Sequence, residues 1–220
     1  GNMKIGILGA GLIGEALAKL AADRGHRVML SSRHPEQLSG LAASIGCEAG
    51  TADQAAAFGE IAVLAVPFTV RGALPAAALA GKIVIDAMNY YPERDGPVPA
   101  LNARTTTTSE LVAAELPGAR LVKAFNAILA RDLPENSRPS VSSGRRALPI
   151  AGDDLEAKTV VADLHKAFGF EVLDAGGLAQ SWRFERAKPA YCIPLDRHGL
   201  ERALTAATRE GELPHGSWRT

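Results

Sequence analysis

Cys47 and Cys192 are the only cysteines in 220 residues, too few and too far apart for a disulfide framework, and neither has the close partner a zinc or redox pair requires. A reducing, intracellular compartment is therefore expected. Long hydrophobic runs are also missing. Stretches such as 61–68 are short and interrupted by Pro67, and no basic segment precedes an apolar one at the N-terminus. Neither a membrane partner nor an export signal is expected, and the reading is a soluble cytoplasmic protein. Gly1 and Asn2 precede a Met3 that looks like a natural start, so Gly1 is read as a cloning remnant. Charge of one sign is absent too. The 24 basic side chains balance the 24 acidic ones, so no global field draws in nucleic acid or an anionic surface. The sequence holds no nucleophile elbow, no H-E-x-x-H and no convincing triad.

What is present is a rhythm of short apolar runs alternating with longer Ala-rich segments of helical period. That pattern predicts an α/β fold, a doubly wound and mostly parallel sheet of Rossmann type with a small α/β C-terminal extension. Strands are expected at 4–8, 27–30, 61–66, 82–86 and 121–124, with a weaker one near Glu48. Helices are expected at 12–24, 35–45, 51–58, 69–80 and 109–116. The proline- and serine-rich stretches 89–104 and 132–146 read as loops. Beyond them a strand at 147–151, a helix at 154–168, a strand at 171–174 and a helical C-terminus are expected. This divides the chain into a dinucleotide-binding unit, 1–132, and a small C-terminal region, 147–220, that completes a substrate cleft.

Gly9, Gly11 and Gly14 form G-x-G-x-x-G directly after a strand and directly before a helix, the context in which the motif carries meaning. Gly9 would make the tight turn, Gly11 would admit a pyrophosphate and Gly14 would let helix and strand pack closely. The phosphates would meet the N–H groups of Leu12 and Ile13 at the positive end of the helix dipole. NAD-specific sites place a carboxylate about 20 residues further on, against the ribose. Here Ser31, Ser32, Arg33 and His34 occupy that place, with no carboxylate between Asp23 and Glu36. Two hydroxyls and a guanidinium suit a 2′-phosphate, so the expected cofactor is NADP(H). The bland alternative is a solvated Arg33 and serines that cap the next helix. His34 reads as a solvated side chain.

Open α/β sheets bind ligands at the carboxyl ends of their strands. Ala65, Val66 and Pro67 end one strand, with Phe68 beside them as a second candidate wall of the trough or as ordinary core. Asn89 follows the next strand, and Lys123, Ala124 and Asn126 the one after. Asn89, Lys123 and Asn126 are the positioning candidates for the nicotinamide and the substrate, although Lys123 would equally serve as a surface charge. Catalytic acid or base groups are not identified, and no metal site is expected. In 131–146, Arg131, Arg138, Arg145 and Arg146 outnumber Asp132 and Glu135. A solvated loop is the plain reading, and steering of an acidic acceptor the sharper one.

Nearly end to end, these motifs resemble the NADP oxidoreductase family dependent on coenzyme F420, a deazaflavin. The resemblance rests on Lys4-Ile5-Gly6-Ile7-Leu8-Gly9-Ala10-Gly11, Ser31-Ser32-Arg33, Ala65-Val66-Pro67, Asp86-Ala87-Met88-Asn89 and Lys123-Ala124-Phe125-Asn126. It continues through Ile150-Ala151-Gly152-Asp153-Asp154 and Val172-Leu173-Asp174-Ala175-Gly176. It implies hydride transfer between the nicotinamide and a flavin-like ring, coenzyme F420 or flavin, in a cleft formed with the C-terminal part. Positioning and exclusion of water would then matter more than acid or base. The segment 132–146 is longer than the family's connection, and Trp182-Arg183-Phe184-Glu185 and the tail 194–220 fall outside the resemblance. Two other functions compete: a non-catalytic NADP(H) redox sensor, and a reductase of the imine or β-hydroxyacid type. A homodimer is expected from base rates for soluble enzymes.

Overall fold

The computed structural model describes residues 2–214 and 216–217; Gly1 and the end of the 194–220 tail lie outside them. Eight strands form one sheet: β1 (Lys4–Leu8), β2 (Arg27–Ser31), β3 (Glu48–Gly50), β4 (Ile61–Leu64), β5 (Ile83–Asp86), β6 (Arg120–Lys123), β7 (Ala147–Gly152) and β8 (Glu171–Asp174). Their order is β3-β2-β1-β4-β5-β6-β7-β8. The first six run parallel, β7 is antiparallel to β6, and β8 is parallel to β7. The helices are α1 (Leu12–Asp23), α2 (Ser39–Ile45), α3 (Ala52–Phe58), α4 (Ala76–Leu79), α5 (Pro92–Asp95), α6 (Pro99–Asn102), α7 (Thr108–Glu115), α8 (Asp132–Asn136), α9 (Leu155–Phe168) and α10 (Arg197–Ala206). The expected α/β class and mostly parallel sheet are found.

Both faces of the sheet are buried, which is why its strands are apolar throughout rather than alternating with polar residues. Period-two geometry sends Ile5, Ile7, Ile61, Val63, Ile83 and Ile85 into a layer with α1 and α9. Leu8, Ala62, Leu64, Val84 and Leu121 face the opposite layer, which α3 and α7 cover. A third cluster joins Ala127, Phe184, Tyr191 and Cys192 to Leu200 and Leu204 of α10. The sheet order reverses between β1 and β4, so a crevice opens above their carboxyl ends.

Several expected elements differ in detail. The predicted helix 69–80 is a 3-10 turn, Phe68–Ala73, followed by α4. Pro75 causes the break, because it pushes Leu74 to extended geometry, φ −67° and ψ 146°. In the same way 35–45 opens as a 3-10 turn, Pro35–Leu38, before α2. The predicted loop 89–104 contains α5 and α6, each with proline at its start. Proline lacks the N–H that a helix start leaves unbonded, so it opens a helix as readily as it marks a loop. The loop 132–146 begins with α8.

Candidate functional site

After β1 the chain turns at Gly9, whose φ of 113° is closed to ordinary side chains. A Cβ at Gly9 would run into the Ala65 carbonyl oxygen, and one at Gly14 into the Gly9 carbonyl oxygen, so the turn is packed backbone to backbone. Gly11 differs. A Cβ added there meets nothing within 4 Å, and as the N-cap of α1 it brings no side chain to the first helical N–H groups. The space before Leu12 and Ile13 therefore combines room, N–H donors and the positive end of a helix dipole, which suits a pyrophosphate. Leu12, 77% exposed, stands at its mouth.

The ribose corner separates two serines that the sequence had paired. Ser31 is buried, and its Oγ accepts a hydrogen bond from the Gly9 N–H at 3.2 Å. It braces the turn instead of reaching outward, which corrects its expected role as a phosphate donor. Ser32 is partly exposed, and its Oγ accepts from the His34 N–H at 3.2 Å. Arg33 is exposed, and among the described residues no hydrogen bond or ion pair engages it. His34 is solvated as expected, with Glu36 at 3.7 Å.

Along the carboxyl edge, Ala65 and Val66 are partly exposed and Pro67 fully so. Phe68 belongs to the core, completely buried under the Arg71 guanidinium 4.2 Å from its ring centre, and does not line the trough. Ala124 is likewise below the surface, because its N–H extends the ladder to the Asp86 carbonyl at 3.1 Å. Asn89 and Asn126 do come together. Asn89 Nδ2 donates to the Asn126 carbonyl at 3.1 Å, and Asn126 Nδ2 donates to Asn89 Oδ1 at 3.3 Å and the Phe184 carbonyl at 3.1 Å. Asn126 Oδ1 is buried with no hydrogen-bond partner among the described residues. Phe125, just before Asn126 in the chain, is held at φ 61°, its ring stacked 4.1 Å from that of His165. Such strain at a strand end fits a site whose geometry the surrounding packing enforces.

Lys123 is no surface charge. With 0% exposure, its ammonium donates to Thr108 Oγ1 at 2.8 Å, Ser109 Oγ at 3.2 Å and the Met88 carbonyl at 3.3 Å, with Asp86 Oδ2 at 3.8 Å. Asp86 in turn accepts from the Met88 N–H at 2.9 Å and Ser109 Oγ at 2.6 Å. Both backbone groups of Met88 are thus clamped by one buried ion pair, which fixes the chain that presents Asn89. Lys123 acts from behind the edge.

The C-terminal region supplies the far wall. A cleft of about 360 Å³ is lined by Tyr90, Thr108, Trp182, Arg186, Lys188 and Arg209 among others. Glu185 accepts the Thr108 N–H at 2.9 Å, tying this segment to the start of α7. The Lys188 ammonium donates to the carbonyls of Thr208, Arg209 and Gly211 at 2.7, 2.9 and 2.8 Å and so straps the tail across the cleft. Arg104 reinforces the strap through the Arg209 carbonyl at 2.7 Å. Arg145 and Arg146 are buried, not solvated. They bond the Lys166, Phe170 and Ala127 carbonyls, Asn136 and Asp132, which removes them as steering groups. Sequence reasoning missed Trp182, Lys188 and Arg104, whose partners lie far along the chain. Burial pushes the Cys192 thiol up to about 12, so it stays protonated. Among the described residues, no group of three or more His, Cys, Asp or Glu is placed to hold a metal ion, and no helix is long and apolar enough to cross a membrane.

Residues 4–90 match the family of coenzyme F420-dependent NADP oxidoreductases, so the resemblance read from the motifs is borne out over that stretch. The metalloreductase STEAP3 of Rattus norvegicus is 33% identical over 197 residues, covering 87% of this chain and 38% of its own length. The protein YjhV of Escherichia coli (strain K12) is 35% identical over 77 residues, covering 35% of this chain and 56% of its own length. The chain therefore spans less than two thirds of these curated relatives. Among solved structures, the hypothetical protein SMa0349 of Sinorhizobium meliloti superposes with TM-score 0.74 at 29% identity, covering 90% of this chain and 96% of the other. A protein of Arthrobacter sp. fb24 named as an F420-dependent NADP reductase superposes with TM-score 0.70 at 28% identity, covering 82% and 87%. Imine reductases, a reductive aminase and a 3-hydroxyisobutyrate dehydrogenase share the fold alone, at 14–19% identity.

Proposed function

We propose, from the premise that residues 4–90 match a family of NADP-dependent oxidoreductases, that this chain binds NADP(H) along the carboxyl edge of its sheet and moves a hydride between the nicotinamide and a flavin-like acceptor. Coenzyme F420 and flavin are the acceptor classes, and the rat relative, named a metalloreductase, adds metal ions as a final electron sink. The nicotinamide supplies the hydride chemistry. The chain's part is to seat the pyrophosphate at Gly11, Leu12 and Ile13, to hold the 2′-phosphate at Ser32 and Arg33, and to fix the nicotinamide end against Val66, Pro67 and the Asn89–Asn126 pair. Residues 1–132 carry the cofactor and 147–220 close the acceptor cleft, which keeps water from the reacting atoms.

The observation that carries this reading is Arg33, an exposed guanidinium without a partner among the described residues, where an NAD site would place a carboxylate. A charge-assisted hydrogen bond contributes about 1.5–3 kcal/mol, so Arg33→Ala is expected to weaken NADPH binding by roughly ten- to a hundredfold and leave NADH nearly unchanged. Calorimetric titration of both cofactors checks this; a wild type that prefers NADH, or equal losses for both cofactors, would remove the specificity argument. Oxidation of NADPH in the presence of F420, FMN, FAD, quinones or ferric chelates, followed at the reduced nicotinamide, identifies the acceptor. NADPH binding without oxidation by any of them would instead favour the redox sensor.

A further inference from the structure

We propose that Arg209 is a specificity-determining residue that binds the phosphate at the end of a flavin acceptor's side chain, in the cleft crossed by the 208–211 strap. The inference rests on the hydride-transfer reading and names the part of the acceptor that the chain recognises.

The cleft holds about 360 Å³, at the low end of the roughly 300–1,000 Å³ of small-molecule sites. Tyr90, next after Asn89 in the chain, lines it together with the cations Arg104, Arg186, Lys188 and Arg209 and the carboxylates Glu185 and Glu212. Most of these charges are already engaged. Glu185 accepts the Thr108 N–H at 2.9 Å, and Glu212 lies 3.5 Å from Arg104. Arg186 donates to both Glu93 oxygens at 3.0 and 2.6 Å, and its guanidinium lies over the ring of Tyr91, whose hydroxyl is 2.6 Å from that of Tyr191. The Lys188 ammonium is directed at three backbone carbonyls, which orient it without cancelling its charge.

Arg209 differs from the other three. It is exposed, and its Nη1 donates to the Arg104 carbonyl at 3.3 Å. Among the described residues no carboxylate pairs with it, and its Nε and Nη2 meet no acceptor. Its guanidinium carbon lies 5.0 Å from the centre of the Trp182 ring, and the Lys188 ammonium lies 5.6 Å from that same ring. Two cations gathered on one indole repel each other, and with no carboxylate between them the cleft keeps a local positive potential that its low-dielectric walls focus. An indole holds a guanidinium by its face, so the N–H groups on the rim stay open to an acceptor. A phosphate monoester suits that rim, because two of its oxygens match the guanidinium fork and its double charge offsets both cations. The Arg209 carbonyl accepts from Lys188 at 2.9 Å and from Arg104 at 2.7 Å, so the side chain springs from a pinned backbone. Thr106 also lines the cleft, and its hydroxyl, without a partner among the described residues, is a further donor.

FMN and riboflavin share one ring and differ in the terminal phosphate, so the test compares them. With NADPH as donor at low ionic strength, the wild type is expected to show a KM for FMN roughly tenfold below that for riboflavin, with similar kcat, and the gap is expected to shrink at high salt. Arg209→Gln is expected to keep its melting temperature and to close the gap, and Arg209→Lys to restore part of it. Quenching of flavin fluorescence in the presence of NADP+ is expected to give the same order of affinities without turnover. Equal KM and equal affinity for the two flavins in the wild type would overturn the proposal, even if inorganic phosphate bound at Arg209, and so would an equal loss for both flavins in Arg209→Gln. An FMN preference in binding that Arg209→Gln removes, with no hydride passed to either flavin, would overturn the hydride-transfer reading and uphold the phosphate site. If Arg209→Gln does not fold, a wild-type preference for FMN that salt leaves unchanged overturns the proposal.

Discussion

At the scale of single residues, the structure divides side chains that stand open at the candidate site from buried ones that hold its backbone still. Lys123 and Asp86 belong to the second group, completely buried and joined through Thr108, Ser109 and Met88. Removing one partner of a buried pair leaves the other charge uncompensated, which typically costs about 3–5 kcal/mol. Lys123→Met is therefore expected to lower stability by that order in chemical denaturation. The double variant Lys123→Met with Asp86→Asn is expected to recover part of the loss. A double variant no more stable than Lys123→Met would show that hydrogen-bond geometry, rather than charge balance, sets the cost. The sequence placed Lys123 and Asn126 at the carboxyl end of β6, where the structure has them, because strand ends can be read from apolar periodicity. It could not say that Lys123 points inward, since that depends on α7, which covers the sheet from another part of the chain.

Among elements, α9 joins two acid-sensitive contacts. Asp154 caps its start, accepting from the Ala157 N–H at 2.9 Å and from Arg120 at 2.6 and 3.0 Å. The Arg120 guanidinium holds the Asp154 carboxyl down to about 2, from a usual 3.8. Near the helix's other end, His165 is completely buried and its Nδ1 donates to the Val161 carbonyl at 2.7 Å, while burial holds its pKa down to about 4 from 6.5. Both groups bind protons more readily when unfolded. The His165 contribution is full above pH 6.5 and is lost as pH falls to about 4; that of Asp154 is full above pH 3.8 and is lost as pH falls to about 2. Stability measured by denaturant midpoints is expected to fall between pH 6.5 and 4 by up to about 1.4 kcal/mol per pH unit from His165. His165→Phe should flatten that window. An unchanged slope would assign the acid sensitivity to other groups. The helix, expected at 154–168, was legible from its period and is found at Leu155–Phe168. The stacking of His165 on Phe125 was not, because it joins residues forty positions apart.

At the scale of the whole molecule, the packing does not follow the proposed division between 1–132 and 147–220. Leu164 and Phe168 of α9 belong to the same core layer as Ile5, Ile7 and Ile85, and β7 pairs with β6. A fragment of residues 1–132 is expected to leave that layer open and to aggregate or to bind hydrophobic dyes. Light scattering and dye fluorescence against the full chain would reveal it, and a monomeric, cooperative fragment would contradict the shared core. The dinucleotide edge was legible because backbone geometry demands glycine there and the motif is short. The far wall was not, since the contacts of Lys188, Arg104 and Tyr191 span twenty to more than a hundred positions.

The strap that Lys188 and Arg104 draw across the cleft also orders events during synthesis. The pyrophosphate seat and the ribose corner are encoded in the first third of the chain, whereas the last wall of the cleft is supplied by residues 208–211, held through their carbonyls. Translation therefore delivers the glycine turn and the Ser32–Arg33 corner well before the segment that walls the cleft. A nascent or truncated chain that stops short of residues 208–211 has the cleft open on that side, and the strap is what closes it.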